Sequence, residues 1–362
     1  MEYKWMVCVK CQTFNHSSFV NDAMDGFCRQ ETSFPFVCVI IDDASTDGEQ
    51  DVLQCYLNNH FDLADGSVFR NEETDDYTLT FARHKSNENC FFAVYYLKYN
   101  HYRKKAKDPY LNEWVHDSKY VALCEGDDYW INSRKLQRQV DFLEKNTDYT
   151  MACSRVKLYS EKKKDIVGED YCYTQDATVK TKDVIYRTGL FISTCSIVYK
   201  NTIKENYPDY CWKCAVGDYP LQIMAAMKGR IYYFNDPMSV YRIANPGSWT
   251  AHQNFKVPDA QRIKLIKSRI RMLAGFSTDF PEFKHWFQNK INDEIRRNIP
   301  ERTIHEKEYN DFVKAFSKEI SQFSLPWRID FLLRSTKLPF LRRYYKWSGR
   351  LFYRFCYNRL YY

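Results

Sequence analysis

Six consecutive residues near position 125 could do chemistry, because they combine three carboxylates with two aromatic rings. The segment is Glu125-Gly126-Asp127-Asp128-Tyr129-Trp130, here called the acidic turn, and it follows an apolar run at residues 120–124. A short apolar run bounded by polar residues predicts a buried strand. Carboxylates crowded at a strand end repel one another unless a positive charge lies among them, and hard divalent cations take oxygen ligands. The turn therefore predicts a cation site that bridges to a phosphate. The alternative is a solvated acidic turn, and Trp130 argues against it because a large ring anchors the turn to a core.

A second pair of acids, Asp42 and Asp43, follows another strand-like run. Residues 36–41 are apolar without interruption and rich in β-branched side chains, which is typical of a strand buried on both faces. The polar segment Gln12-Thr13-Phe14-Asn15 comes after an apolar run at residues 5–9. Ligands of α/β sheets bind at the carboxyl ends of strands, so we expect both acidic segments to share one pocket.

The segments around these acids alternate between strand-like and helix-like patterns. Helix-like segments are found at residues 17–28, 51–59, 90–102, 134–145 and 217–228. Further strand-like runs are found at residues 68–69, 192–199, 231–234 and 238–241. The charged stretch 156–182 shows little periodicity, which predicts an excursion of the chain away from the regular strands and helices. This order predicts an α/β fold with a mainly parallel, Rossmann-like sheet and helices on both faces.

The last third of the chain has a different pattern. From about residue 258 onward the pattern is helical, and apolar residues recur every four positions at Phe283, Phe287, Ile291, Ile295 and Ile299. We therefore predict a first domain at residues 1–252, a helical region at residues 253–329 and a tail at residues 330–362.

The composition argues against several classes of protein. The 362 residues suffice for one large core or two, and the longest wholly apolar runs are far shorter than the roughly 20 residues of a membrane-spanning helix. The 13 cysteines are odd in number and the N-terminus lacks a signal-peptide pattern, so we expect reduced thiols in the cytoplasm. Neither Gly-x-Gly-x-x-Gly nor the P-loop motif occurs, which argues against dinucleotide-binding and P-loop enzymes.

Two Cys-x-x-Cys pairs, Cys8/Cys11 and Cys211/Cys214, raise the alternative of a zinc site. Cys8 and Cys11 lie in or just after a strand-like run, where a spacing of three residues points side chains to opposite faces. That spacing argues against joint zinc binding by this pair.

Four segments occur in an order that is shared with a known family. They are Asp42-Asp43-Ala44-Ser45-Thr46-Asp47-Gly48 after a strand, the acidic turn followed by Lys135-Leu136, Gly217-Asp218-Tyr219-Pro220-Leu221, and Tyr241-Arg242. On these segments, and over about residues 5–249, the chain resembles the family-2 glycosyltransferases, which are inverting enzymes of the GT-A fold. The resemblance implies a GT-A catalytic domain at residues 1–252. It also implies a donor in which a sugar is joined to a nucleoside diphosphate, most simply UDP.

The resemblance assigns the nucleoside half of the donor to the first two loops. Asp43 would accept a hydrogen bond from the uracil imide, and Asp42 would shape the loop. The nucleoside pocket would be lined by Gln12, Thr13, Phe14 and Asn15. The alternative for Asp42 and Asp43 is a structural turn or helix cap, since Asp favours such positions.

The resemblance assigns the diphosphate half of the donor to the acidic turn. Asp127 would bind Mg²⁺ or Mn²⁺ directly. Glu125, which stands where the family has Asp, would contact the ribose or a metal-bound water. Arg242 would contact the diphosphate, and Ala244 stands where the family often carries a His. The turn or the acceptor would be supported by Asp128 and Trp130.

Asp218 matches the general base of the family. Direct displacement needs a carboxylate within hydrogen-bond reach of the acceptor hydroxyl, on the side opposite the leaving diphosphate, so that the anomeric centre inverts. The family usually has Glu before this Asp, where the present chain has Gly217. The alternative for Asp218 is a helix N-cap, and the two roles are compatible.

The tail carries the charge imbalance of the chain. The net charge is +7, and residues 330–362 contain eight Lys or Arg and one acid. As a helix, residues 341–355 would place Arg343, Lys346 and Arg350 on one stripe opposite aromatic residues, which is typical of a helix at an anionic membrane surface. The alternative is a final helix packed on the catalytic domain. No known nucleic-acid-binding motif accompanies the basic residues of the tail, which argues against nucleic acid as a partner.

The resemblance therefore implies an inverting, metal-dependent glycosyltransferase of bacterial surface polysaccharide assembly. We expect it in the cytoplasm, or peripherally on the inner face of the membrane, with a glycan or lipid-linked acceptor. One alternative is a binding protein on the same scaffold that holds a sugar nucleotide without transfer. Another is a sugar nucleotidyltransferase, which would need a Gly-rich, Arg-containing loop that residues 11–15 do not provide.

Overall fold

The computed structural model describes residues 3–102, 104, 106–187, 191–243, 259–300, 306–323, 328 and 331. Two compact units divide the chain, one formed by residues 1–208 with 216–253 and the other by residues 209–215 with 254–362. The predicted boundary at residue 252 lies outside the described residues, so the predicted domain limits stay a prediction.

Within the described residues all strands belong to the first unit and form one mixed sheet. In chain order they are β1 (Trp5–Thr13), β2 (Phe36–Asp42), β3 (Phe61–Asp62), β4 (Arg70–Glu73), β5 (Tyr77–His84), β6 (Cys90–Leu97), β7 (Ser118–Leu123), β8 (Tyr129–Trp130), β9 (Tyr149–Ser160), β10 (Asp165–Asp170), β11 (Ala177–Val179), β12 (Val198–Lys200) and β13 (Arg230–Ile243). The helices are α1 (Val20–Cys28), α2 (Glu49–His60), α3 (Asp108–His116), α4 (Lys135–Lys145), α5 (Thr181–Arg187), α6 (Asp209–Trp212), α7 (Asp218–Lys228), α8 (Asp259–Asp279), α9 (Lys284–Asn298), α10 (Glu306–Ala315) and α11 (Ser317–Ser321). Of these, α6 and α8 to α11 belong to the second unit.

The centre of the sheet is parallel. Strands β7, β1, β2 and β6 lie side by side in that order and run in one direction. The register pairs Thr13 with Asp42 and Lys10 with Leu123, so these strands end at the same edge. Antiparallel strands flank the centre, with β5 beside β6 and β12 beside β7. The predicted α/β class with a parallel central sheet is confirmed, and the antiparallel flanks are an addition.

Both faces of the central strands are buried because helices cover each face. Every residue of β2 is buried. Cys38 and Ile40 pack in one cluster with residues of α1, α2 and α4, whereas Val37 and Val39 pack in another with residues of α3. An uninterrupted apolar strand is therefore required at this position, as the sequence predicted.

The same alternation separates Cys8 from Cys11. Cys8 packs in the cluster beneath α3, and Cys11 packs in the cluster on the opposite face. The two thiols point away from each other, as their spacing predicted, and therefore do not ligate one ion together.

Several elements differ from the sequence expectation. Residues 90–97 form the buried strand β6 rather than the start of a helix, because aromatic and β-branched residues favour strands and periodicity alone cannot separate a doubly buried run from a helix. The charged stretch 156–182, which was expected to lie outside the regular fold, contains the paired residues of the antiparallel strands β9 and β10. The two short strands expected at residues 231–241 are one strand, β13, with register shifts around Pro237. Residues 68–69 precede β4 and form no strand.

The second unit is helical, as predicted for the chain beyond residue 258. α8 and α9 pack through apolar side chains, and the rings of Phe276 and Phe287 stack with centroids 5.8 Å apart. In the portion of the chain that the structure describes, every helix is too short or too polar to cross a membrane. Apart from Phe331, the tail lies outside the described residues, so its membrane role stays a prediction.

Candidate active site

Backbone hydrogen bonds join the three loops that the sequence marked at the carboxyl edge. The N–H of Asp43 donates to the carbonyl of Thr13 at 3.0 Å, and the N–H of Gly126 donates to the carbonyl of Gln12 at 3.1 Å. The loops after β1 and β2 and the acidic turn after β7 are therefore neighbours, as their positions at strand ends predicted.

The first loop is held against the second by side chains. The N–H of Asn15 donates to Oγ of Ser45 at 2.8 Å, and its Oδ1 accepts from the N–H of Thr46 at 2.8 Å. Asn15 has a positive φ of 57°, which Asn tolerates better than most residues. Its amide is thus used to join the loops, whereas the ring of Phe14 is 42% exposed and presents an apolar surface.

Asp42 is fully buried and shapes the second loop. Its Oδ2 accepts from the N–H of Ser45 at 3.2 Å and from the amide of Gln50. Burial raises the pKa of its carboxyl, and its Oδ1 has no hydrogen-bond partner among the described residues. These contacts fit the supporting role that the resemblance assigned to Asp42.

Asp43 is held by a loop that the sequence did not connect with it. Its Oδ1 accepts from the N–H of His101 at 2.6 Å, and its Oδ2 accepts from Nζ of Lys107 at 2.9 Å. Both partners follow β6. His101 lies at the end of the segment 90–102 that the sequence predicted as helical, and Lys107 lies beyond that segment. Each carboxylate oxygen has a second lone pair, so Asp43 retains capacity to accept from a ligand N–H.

The acidic turn is anchored by the buried ring of Trp130. Its Nε1 donates to the carbonyl of Cys195 at 2.9 Å, and its ring contacts Phe27 edge to face with centroids 4.8 Å apart. The ammonium of the buried Lys135 lies 4.4 Å from the ring centroid. The turn is therefore fixed to the core and is not a freely solvated loop.

Gly126 allows the turn to approach β1, which yields a stability prediction. A Cβ at this position would lie 2.7 Å from Cβ of Thr13, closer than real Cβ contacts allow. We expect Gly126→Ala to lower the free energy of unfolding by about 1–3 kcal/mol in urea titrations. Gly168→Ala is the matched control, because its Cβ would meet only Leu158 at 3.8 Å. Equal stability of the two variants would contradict the close approach.

Desolvation and neighbouring charge raise the pKa of two acids in the turn, Glu125 and Asp128. Desolvation, followed by the charges of Asp127 and Asp218, raises the pKa of Glu125 to about 7, and Lys107 partly opposes this shift. Burial and the charge of Asp127 raise the pKa of Asp128 well above its usual range. Glu125 is nevertheless an exposed residue, so an ion could reach it and solvent reduces the rise of its pKa. The charge of Asp218 is felt at Glu125 although 93 residues separate them in the chain.

The raised pKa of Glu125 predicts how the stability of the metal-free protein depends on pH. The folded state keeps this proton up to about pH 7, whereas the unfolded carboxyl releases it near its ordinary value of 4.5. The folded state binds more protons in this window, so its free energy of unfolding falls as the pH rises through it. We expect a smaller fall in the urea midpoint of Glu125→Gln than in wild type between pH 5 and 7.5. The exposed Glu88 offers a control, Glu88→Gln, and an unchanged slope in Glu125→Gln would contradict the assignment.

Asp218 begins α7 and is partly buried. Its Oδ1 accepts from the N–H of Tyr219 at 2.8 Å, and desolvation raises the pKa of its carboxyl. Gly217 occupies the N-cap position, so Asp218 lies one residue inside the expected cap. A raised pKa makes a carboxylate a better proton acceptor, which suits a general base.

Arg242 braces the acidic turn from β13. Its backbone N–H donates to Oδ1 of Asp128 at 2.9 Å, and its Nη1 donates to the carbonyl of Asp127 at 2.6 Å. Its Nε donates to Glu161 at 2.9 Å, and its Nη2 pairs with Asp22. The guanidinium thus makes protein contacts through all three nitrogens. Its predicted contact with a diphosphate stays a prediction.

An open cleft of about 960 Å³ lies at the opposite edge of the sheet. Its lining comes from the segments that precede β2 and β6 and includes Arg83, His84 and Lys85. These segments lie at the amino ends of the parallel strands. The basic triplet is therefore remote from the acidic turn, and the cleft is not part of the site described here.

Comparison with known proteins yields matches at low identity. No protein-family model matches the chain. Three curated proteins described as uncharacterized, one from Mycobacterium bovis and two from strains of Mycobacterium tuberculosis, are each 27% identical over 238 residues. The match covers 66% of this chain and 58% of each relative, so the chain spans little more than half of their length.

Solved structures also resemble the chain. TarS 1-349 from S. aureus in complex with UDP has a TM-score of 0.45 at 16% identity, over 87% of this chain and 88% of that one. The mannosyltransferase PcManGT from Pyrobaculum calidifontis, in complex with GDP-Man and Mn²⁺, has a TM-score of 0.46 at 15% identity, over 90% of this chain and 78% of that one. At TM-scores below 0.5, neither the activity nor the ligands of these proteins carry over to this chain.

Proposed function

We propose that this chain is an inverting glycosyltransferase that uses a nucleoside-diphosphate sugar, most simply a UDP-sugar. The observation that carries the proposal is that the loop after β1 joins Asp43 and the acidic turn at the carboxyl edge of the parallel strands. The charge of Asp218 also contributes to the raised pKa of Glu125 in this turn. The order of Asp43, the acidic turn and Asp218 in the chain matches the motifs of the family-2 glycosyltransferases. The acceptor would be a glycan or a lipid-linked sugar of surface polysaccharide assembly.

The acidic turn fits a divalent cation by its chemistry. Asp127 is partly exposed, and desolvation, followed by neighbouring negative charge, raises the pKa values of Glu125 and Asp128. Among the described residues no group of three or more His, Cys, Asp or Glu side chains could hold a metal ion. The proposal therefore assigns the cation to one or two protein ligands, with phosphate and water completing its coordination. Bound Mg²⁺ or Mn²⁺ would neutralise charge on the diphosphate as the glycosidic bond breaks.

The residues of the chain would divide the remaining work. Phe14 offers a face to the base and Asp43 accepts from its imide N–H. Asp218 takes the proton of the acceptor hydroxyl while the hydroxyl oxygen bonds to the anomeric carbon and the bond to the diphosphate breaks. Attack from the side opposite the leaving group inverts the anomeric centre. Arg242 keeps the acidic turn in place throughout.

A thermal-shift screen of UDP- and GDP-sugars with Mn²⁺ tests the donor. A ligand that binds only the folded state raises its melting temperature, so the largest shift names the base and the sugar. No shift with any nucleotide would overturn the proposal. Donor hydrolysis with and without Mn²⁺ separates an enzyme from a binding protein, because a binding protein would show the shift without turnover.

A cytoplasmic location and peripheral membrane attachment through residues 330–362 belong to the same proposal. Liposome sedimentation with anionic vesicles tests the attachment, and a chain lacking the tail should stay in the supernatant. Equal binding with and without the tail would favour the alternative in which the tail packs on the protein.

A further inference from the structure

His16 lies against the acidic turn in the loop after β1. Its Nε2 is 3.8 Å from Oδ2 of Asp127, and both side chains are mostly buried, with 17% and 13% exposed. A separation of 3.8 Å is too long for a hydrogen bond, so the imidazole and the carboxylate are not hydrogen-bonded to each other. The imidazole and the carboxylate face each other with room for a shared partner.

A buried chain of hydrogen bonds orients this imidazole. Thr13 donates its hydroxyl hydrogen to Oε1 of Glu49, which is fully buried. Oγ1 of Thr13 lies 3.2 Å from Nδ1 of His16, and it accepts from Nδ1–H because its own hydrogen is already donated. In the neutral form of the imidazole, Nε2 then carries no hydrogen and can offer its lone pair to a cation.

Further contacts of the Glu49 carboxylate hold His16 in the same position. Oε2 of Glu49 accepts from the N–H of His16 and from Oγ of Ser45, each at 2.8 Å. Gly126 brings the turn close, since a Cβ there would lie 3.1 Å from Nδ1 of His16. Two potential ligands are therefore held on the ends of neighbouring strands, with their supporting groups in place.

We propose that His16 is the second protein ligand, beside Asp127, of the divalent cation in the donor site. Two ligands about 2.1 Å from one octahedral ion are roughly 3.0 Å apart when adjacent and roughly 4.2 Å apart when opposite. The observed 3.8 Å is longer than the adjacent distance, so a bound cation would draw the two atoms together by about 0.8 Å. Ligating imidazoles usually donate their other N–H to a fixed acceptor, as His16 does to Thr13. The inference rests on the proposed function, because that function supplies the cation.

Pulsed EPR of Mn²⁺ bound to the full chain with UDP tests this ligand directly. A coordinated imidazole couples its ¹⁴N nucleus to the manganese electrons, so wild type should show ¹⁴N modulation and His16→Ala should lose it. His116→Ala is the matched control, because His116 is exposed at the end of α3, and its spectrum should equal that of wild type.

Affinity gives a second readout. Mn²⁺ titration with UDP present should show a Kd at least about tenfold higher for His16→Ala than for wild type. His16→Gln, which keeps most of the side-chain volume, should weaken binding similarly and covers the case in which the Ala variant fails to fold. Thr13→Val removes the acceptor for Nδ1 and should fall between wild type and His16→Ala.

The outcomes separate the two proposals. Bound Mn²⁺ without ¹⁴N modulation, or modulation that persists in both His16 variants, overturns the His16 assignment and leaves the proposed function standing. Failure of wild type to bind Mn²⁺ with either UDP or GDP overturns both.

Discussion

Replacing Asp218 with Asn should reduce the rate of sugar transfer by about 10²–10⁴-fold. The amide keeps the shape of the side chain and its contact with Tyr219, but it cannot take the proton of the acceptor hydroxyl. Donor binding should be unchanged, because Asp218 acts on the acceptor. The measurement is kcat with saturating donor, together with the thermal shift that the donor and Mn²⁺ produce.

The control for this substitution is another acid in the first turn of a helix. Asp209 begins α6 with 83% of its side chain exposed, so Asp209→Asn should keep full activity. Near-normal turnover in Asp218→Asn would remove Asp218 from the mechanism. Loss of both turnover and donor binding would instead make it a donor ligand.

Replacing Asp127 with Asn should reduce transfer on the order of 10³-fold and remove the stabilisation by Mn²⁺ and nucleotide. The loss would come from the cation site and not from unfolding. Asp127 raises the pKa of both Glu125 and Asp128, so its charge works against the metal-free fold. The melting temperature of the metal-free variant should therefore equal or exceed that of wild type.

Two measurements made side by side decide this prediction. The melting temperature without metal shows whether the loss of the Asp127 charge relieves its repulsion with Glu125 and Asp128. The rise in melting temperature on adding Mn²⁺ with UDP shows whether the cation still binds. A variant that melts earlier without metal would show that Asp127 is structural. A variant that keeps the full Mn²⁺ shift would show that the cation binds elsewhere.

Local signals in the sequence were sufficient for the central strands and their loops. The uninterrupted apolar sequence of β2 predicts a strand that is buried on both faces. Acids that directly follow a strand predict that ligands bind at that edge of the sheet. Because the central strands are parallel and in register, Asp43 and the acidic turn meet without any long-range information beyond strand order. The opposite facing of Cys8 and Cys11 follows from the two-residue period of a strand in the same way.

Local sequence patterns did not identify the secondary structure of a segment that is buried on both faces. The aromatic run of β6 is apolar on every side, so its periodicity does not distinguish a strand from a helix. That misassignment hid the loop that brings His101 and Lys107 to Asp43. The partners of a carboxylate depend on which distant loop packs beside it, and no spacing in the chain encodes that.

The sequence by itself determined the α/β class, because strand ends and residue types are local properties. The acidic turn as a cation site and the roles of the acids are predictions that the resemblance to a family supplied. Only the tertiary structure decided what surrounds each acid. It brought Asp218 into electrostatic range of Glu125, set Arg242 as a brace behind the turn, and held Nε2 of His16 at 3.8 Å from Oδ2 of Asp127. The physical reason is that pKa, tautomer and hydrogen-bond partner are set by neighbours in space, and for most of these residues the neighbours are far away in the chain.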